Sequence, residues 1–345
     1  MRIRRTLALF LPVVLIVLPA VAGYSAITVK REFTLPTFQG YPYRPRVTGD
    51  WVIANQNSEK NNNSACQAVN VYNLVTGEAT CALEGKAFWP EAGGNCAVWT
   101  VDPPSNIGAF LAQSGNVTPD CGKSNLVILD LAASRYYTPA LRTRSAYQYD
   151  VWGDYVVWTG RGGDAPVCFA NVKTGKQQTQ ITQGRMQRYQ PTICGNLIIW
   201  LEDDDASNQQ PNSVPLQLRA YDIATGRHIN IPQDANVRHN SPCTDGKTIV
   251  WWQSKPNVVM GYDVKTGKTS KIADGYFPDI DNGVVVYMKH DSKVYGKDLK
   301  SGQEFLISKG ISNQGPSFCG KWVVWTASSL DNKIHCAELS GIGSK

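Results

Sequence analysis

Apolar residues in this chain fall into short consecutive runs, each entered through a turn: YVVW (155–158), LIIW (197–200) and WVVW (322–325). No long stretch carries an apolar repeat at helical spacing. Runs this short, apolar on adjacent residues, read as strands covered on both faces. The turn residue sets a register. It is Gly49, Gly94, Gly153, Gly195, Gly246, Asn282 and Gly320 in successive copies. Four residues earlier, at position −4, stand Pro45, Pro90, Tyr149, Pro191, Pro242, Pro278 and Pro316. Five residues later, at position +5, stand Ala54, Trp99, Trp158, Trp200, Trp251, Tyr287 and Trp325.

Each copy predicts a β-hairpin. Glycine beside Asp, Asn or Lys supports a tight turn, and the proline is tolerated near the start of the incoming strand. A second motif follows each hairpin, as in VYNLVTG (71–77), YDIATG (221–226) and YDVKTG (262–267). Here Asp or Asn ends a third strand, and Thr-Gly turns the chain into a fourth. Four strands recurring about every 40–45 residues predict a β-propeller. The expected fold is therefore all-β, a seven-bladed β-propeller of four-stranded blades. The last copy ends after its third strand, near Leu339, while Ile27–Leu35 (ITVKREFTL) alternates in strand fashion before the first. That N-terminal strand is expected to complete the last blade and close the ring, since an open ring leaves an exposed edge. The +5 aromatics are expected to pack between blades.

The Pro…Gly-x-x-Val-Val-Trp element followed by Tyr-Asp-x-x-Thr-Gly resembles the TolB-like propeller repeats of secreted and envelope proteins, over residues 27–340. The resemblance implies the propeller fold and an exported scaffold. It implies no particular partner, because such propellers serve many functions. The chain departs from TolB itself in having seven repeats and no evident separate N-terminal domain.

Composition agrees with a well-packed β-protein: 42% apolar residues, 18% charged, 30 Gly and 10 Trp in 345 residues. The basic start MRIRR and the apolar TLALFLPVVLIVLPAVA read as a signal peptide over residues 1–22, with the propeller over 23–345. Contact with a membrane is expected only if that segment stays uncleaved. Its removal takes away Arg2, Arg4 and Arg5 from a formal charge of +6. The remaining charge is too small and dispersed for a nucleic-acid partner. The expected localisation is the cell envelope or the exterior. Nine cysteines in an exported chain suggest disulfides. Cys66 and Cys121, in polar insertions, are candidates for a bridge, while Cys194 and Cys319 read equally well as buried thiols.

Three insertions, 55–68, 101–124 and 201–217, rise from one rim, and loops on a rigid scaffold commonly carry function. On the same face, position −6 is aromatic in five blades, with arginines nearby. Tyr147, Arg185, Arg188, Tyr189, Arg238, His239 and Tyr276 are the candidate ligand-binding residues at the channel mouth. Arginine suits carboxylate or phosphate, and rings suit stacking on sugar. The competing reading makes these aromatics blade plugs and these arginines solvated. Glu202, Asp203 and Asp205 are a calcium candidate by their clustered oxygens. They lack the Asp-x-Asp-x-Asp-Gly loop, so a solvated acidic loop competes with that reading. No other cofactor is expected.

No nucleophile elbow, zinc motif or phosphate loop is present. The primary expectation is a non-catalytic binding scaffold for a protein or polysaccharide partner on the long-loop face. The alternative is a secreted carbohydrate-active enzyme, lyase or hydrolase, for which Asp150, Glu202 or Asp279 could supply acid pairs.

Overall fold

The computed structural model describes residues 26–36, 41–57, 66–84, 87–101, 126–138, 146, 148–160, 166–172, 179–184, 186–203, 215–234, 236–312, 314–327 and 333–342. They form 28 strands in seven four-stranded antiparallel sheets, which are the seven blades of a β-propeller. Six blades are simple meanders. The seventh takes its outermost strand from the start of the chain. Thr28–Thr34 pairs with Ile334–Ser340, from Thr28 opposite Ser340 to Thr34 opposite His335. The ring is thus closed as the sequence predicts.

The inner strands are Tyr41–Thr48, Ala87–Gly93, Gln148–Trp152, Arg188–Cys194, His239–Thr244, Tyr276–Asp281 and Ser317–Cys319. Each is followed by the predicted hairpin turn. Gly94 and Asn95 both adopt left-handed backbone there, with φ of 58° and 66°. This is the conformation that matches the twist of the flanking strands. At the outer turns the Asp or Asn cages the chain that follows. Asn73 Oδ1 accepts the N–H of Val75 and of Thr76 at 2.9 Å, and Asp222 Oδ1 accepts that of Ala224 at 2.9 Å.

Seven apolar clusters hold the ring, one at each contact between neighbouring blades. Position +5 faces the preceding blade and +4 the following one. Trp99 packs with Ile53 and Val69 of blade one, while Val98 packs with Val151 and Trp158 of blade three. Trp99, Trp158, Trp200, Trp251, Tyr287 and Trp325 are all fully buried. The two-sided apolar strands of the sequence are explained: every blade is a layer between two others.

Blades also meet through polar contacts at the turn end. Asn95 N–H donates to Thr48 Oγ1 at 3.0 Å, and Gly320 N–H to Asp281 Oδ2 at 2.7 Å. Gly94 lies so close to the next blade that a Cβ on it would be 2.3 Å from Gly153 N.

The described cysteines Cys81, Cys96, Cys168, Cys194, Cys243, Cys319 and Cys336 are thiols and not halves of disulfides. The side chain of Cys66, and Cys121 entirely, lie outside the described residues, as do the leader and the middle parts of the three insertions.

Candidate functional site

The inner strands surround a central channel with a cavity of about 620 Å³. A second cavity of about 400 Å³ opens on the hairpin-turn side, and the two share Thr48, Trp152, Asp281 and Cys319. The channel is built from one column of the repeat. Position −3 holds Arg46, Glu91, Asp150, Thr192, Cys243, Asp279 and Ser317, all of which line it. Positions −4 and −2 on either side are mostly apolar and buried, including all six −4 prolines and Val47, Val151, Ile193, Ile280 and Phe318.

Several −3 side chains also bind the next blade. Asp150 Oδ2 accepts from Thr192 Oγ1 at 2.7 Å and from Ile193 N–H at 3.0 Å. Its Oδ1 accepts Val151 N–H at 2.8 Å. Asp279 repeats the pattern, accepting Phe318 N–H and Ile280 N–H at 2.8 Å each. Ser317 Oγ accepts Val47 N–H at 3.2 Å across the closing interface. Both aspartates are thereby fixed in orientation.

Arg46 and Glu91 form a bidentate ion pair, Nε to Oε2 and Nη2 to Oε1, the latter at 3.2 Å. Burial opposes the charge on Arg46, but Glu91 outweighs it and Asp279 and Asp150 add to it, so Arg46 stays protonated. Burial raises Asp150 to about 7, with the nearby Glu91 charge adding to the shift. Burial likewise raises Asp279 to about 6, opposed by the Phe318 N–H bond and by Arg46. Two carboxyls with raised pKa values therefore line one channel. Burial also raises Cys243 well above a normal thiol.

Above this tier, toward the strand starts, lies another ring at position −5: Arg44, Trp89, Gln148, Gln190, Ser241, Phe277 and Gly315. In five blades a β-bulge interrupts the inner strand here, as between Tyr43 and Arg46 and between Tyr276 and Asp279. The −5 residue of those same blades has positive φ: Arg44 47°, Trp89 40°, Gln190 48°, Ser241 47° and Phe277 52°. Blade three, where Tyr149 replaces proline, pairs without a bulge. Proline cannot donate to the ladder, which accounts for the skipped pairing.

The channel-mouth candidates separate. Arg188 is only 3% exposed. Its Nε binds Glu202 Oε2 at 2.6 Å, and its remaining donors reach the carbonyls of Gln183, Gly184 and Met186. Tyr189 packs against the cluster between blades four and five, its hydroxyl on Gln187. His239 is fully buried, edge-on to Trp251, with Nε2 3.3 Å from the Asp234 carbonyl, and burial lowers its pKa. Arg238 Nε donates to Asn240 Oδ1 at 3.3 Å. Tyr276 packs among Trp252, Phe277 and His290. Tyr147 and Arg185 lie outside the described residues. Tyr43 is the described −6 aromatic that lines the channel.

The calcium candidates do not form an open loop. The second strand of blade four runs on through Asp203, so Glu202 and Asp203 are strand residues paired opposite Gln217 and Leu216. Arg188 and Arg219 engage both oxygens of Glu202, and Asp203 is buried. Asp205 lies outside the described residues. Among the described residues no group of three or more His, Cys, Asp or Glu side chains is placed to hold a metal.

The −3 column was legible in principle. It is polar in every blade, between neighbours that are mostly apolar.

No family model and no curated protein matches the chain. Solved structures do. An oligogalacturonate lyase in complex with manganese is 13% identical, with 87% of this chain and 89% of that one covered and a TM-score of 0.56. The oligogalacturonate lyase of Vibrio parahaemolyticus is 11% identical, covering 92% and 98%, with a TM-score of 0.56. The β-propeller domain of the trilobed protease from Pyrococcus furiosus, which has an open velcro topology, is 14% identical, covering 84% and 91%, with a TM-score of 0.58. At these identities the likeness establishes the fold. It also corrects the primary expectation of a non-catalytic scaffold. These similar propellers are enzymes or a domain of one, so a propeller lacking familiar catalytic motifs is not thereby a passive binder.

Proposed function

We propose that this protein is a carbohydrate-active enzyme that cleaves a glycosidic bond inside its central channel. The observation that carries this reading is geometric: Asp150 and Asp279 line one central channel together with the Arg46–Glu91 pair. The cavity suits a short saccharide end. Near neutral pH Asp279 is the carboxylate that takes a proton, and Asp150 is the acid that gives one to the departing glycosidic oxygen. Their raised pKa values support these roles. Arg46 stabilises negative charge as it develops. Whether Asp279 takes its proton from water or from a sugar carbon distinguishes hydrolysis from elimination.

The leader sequence supports export, and the Tyr-Asp-x-x-Thr-Gly repeats support kinship with TolB-like envelope propellers. A polysaccharide of the envelope or the surroundings is then the partner. The manganese of the similar lyase is not carried over, since the described residues offer no cluster for it.

The test is to incubate the protein with neutral and acidic polysaccharides and follow new reducing ends. Appearance of an unsaturated, ultraviolet-absorbing sugar end marks elimination; its absence from cleaved product marks hydrolysis. Cleavage should fall by about 10²-fold or more in Asp150→Asn and in Asp279→Asn. Cleavage that persists in both variants would remove the assignment.

A further inference from the structure

We infer that the −5 tier of the channel is a binding site for an anionic group on the ligand, a carboxylate or a phosphate, and that Arg44 receives it. The inference deepens the reading of the channel as an active site and rests on it.

Arg46 and Arg44 both face Glu91, but Arg46 occupies both of its oxygens. Arg44 Nη2 stays 3.6 Å from Glu91 Oε1, beyond hydrogen-bond reach. Among the described residues the Arg44 guanidinium donates no hydrogen bond. The side chain is 38% exposed and lines the channel. Burial and the Arg46 charge lower its pKa, while Glu91 raises it. A guanidinium has five N–H donors in a fork that matches carboxylate or phosphate.

The rest of the tier supplies donors too. Gln148 Oε1 accepts the N–H of Gln190, and Gln190 Oε1 accepts the N–H of Ser241 at 3.0 Å. A backbone N–H needs the carbonyl oxygen, so the orientation of both amides is fixed. Their –NH₂ groups are left without a protein partner among the described residues. Trp89 and Phe277 add ring faces on the same tier. The carboxyls Asp150 and Asp279 sit one tier deeper, so donors precede acids along the channel.

The test is calorimetric binding in phosphate-free buffer, with glucuronate, glucose and inorganic phosphate as separate probes. Glucuronate should bind at least tenfold more tightly than glucose. Arg44→Gln should weaken glucuronate binding by about 10–100-fold, with Arg44→Lys intermediate. The melting transition of each variant establishes that it folds. Phosphate binding with the same Arg44 dependence would uphold the anion site and identify a phosphorylated ligand. No binding of either anion, or affinity unchanged in Arg44→Gln, would overturn it. Binding and cleavage are read separately. Arg44-dependent binding without cleavage of any glycan upholds the anion site and defeats the catalytic reading. Cleavage with anion affinity indifferent to Arg44 does the reverse.

Discussion

Arg31 Nε lies 2.7 Å from Glu338 Oε2, joining residues 307 positions apart. Lys30 and Lys321 reach the other oxygen, at 3.3 and 3.1 Å. One carboxylate on the last strand thus gathers two cations from the first strand and one from its own hairpin. The ring is clasped by charge as well as by its ladder.

Burial alone would raise Glu338, but hydrogen bonds from Lys321, Arg31 and Lys30 outweigh it and hold the carboxyl at about 2. A depressed pKa means stability that is complete above the unfolded value and lost as pH falls toward the folded one. Glu338→Gln should destabilise the protein by about 1–2 kcal/mol at pH 7, the cations being half exposed. That difference should shrink below about pH 4.5 and vanish near pH 2. Denaturant melts of both proteins across this range measure it, and a gap constant with pH would contradict the clasp.

Starting the chain at residue 40 removes the closing strand together with Ile27 and Leu35, buried in the two clusters that flank blade seven. Ile334–Ser340 is then an open edge. We expect a loss of several kcal/mol, a melting midpoint lower by about 10 °C or more, and concentration-dependent association through the bared edge. Calorimetry and light scattering report both.

Asp279 must be ionised and Asp150 protonated for the proposed chemistry, so cleavage should follow a bell with limbs near pH 6 and 7. Stability runs the other way from the clasp. Raised folded values mean stability that is present below the ordinary aspartate pKa and lost as pH rises through 6 and 7. Rate–pH profiles and thermal melts between pH 4 and 8 test the two statements separately.

Gly94 and Gly153 are equivalent in the repeat and both have positive φ, 58° and 54°. A Cβ on Gly153 meets nothing within 4 Å, whereas one on Gly94 meets the backbone of Gly153. Gly153→Ala should cost about 1–2 kcal/mol, the left-handed penalty alone. Gly94→Ala should cost more, because a blade contact must also open. Equal melting midpoints for the two variants would contradict this account.

The number of blades, the turns, the inter-blade tryptophans and the closing strand were all readable from the sequence. Each depends on neighbours in the chain or on a periodicity that one strand displays by itself. The candidate site was less readable. Residue type placed Arg188 and His239 at the channel mouth, but their surroundings come from the carbonyls of Gln183, Gly184 and Met186 and from Trp251, and both are buried. Glu202 looked like the start of an acidic loop, yet the strand continues through it and Arg188 stands opposite. The channel tier was written once per repeat, as Arg46, Glu91, Asp150, Thr192, Cys243, Asp279 and Ser317. Within one strand such a residue looks like any other polar position; only the comparison of all seven repeats sets the column apart. Only ring closure brings residues from seven blades onto one axis, where burial raises Asp150 and Asp279 and Arg44 comes to stand beside Arg46.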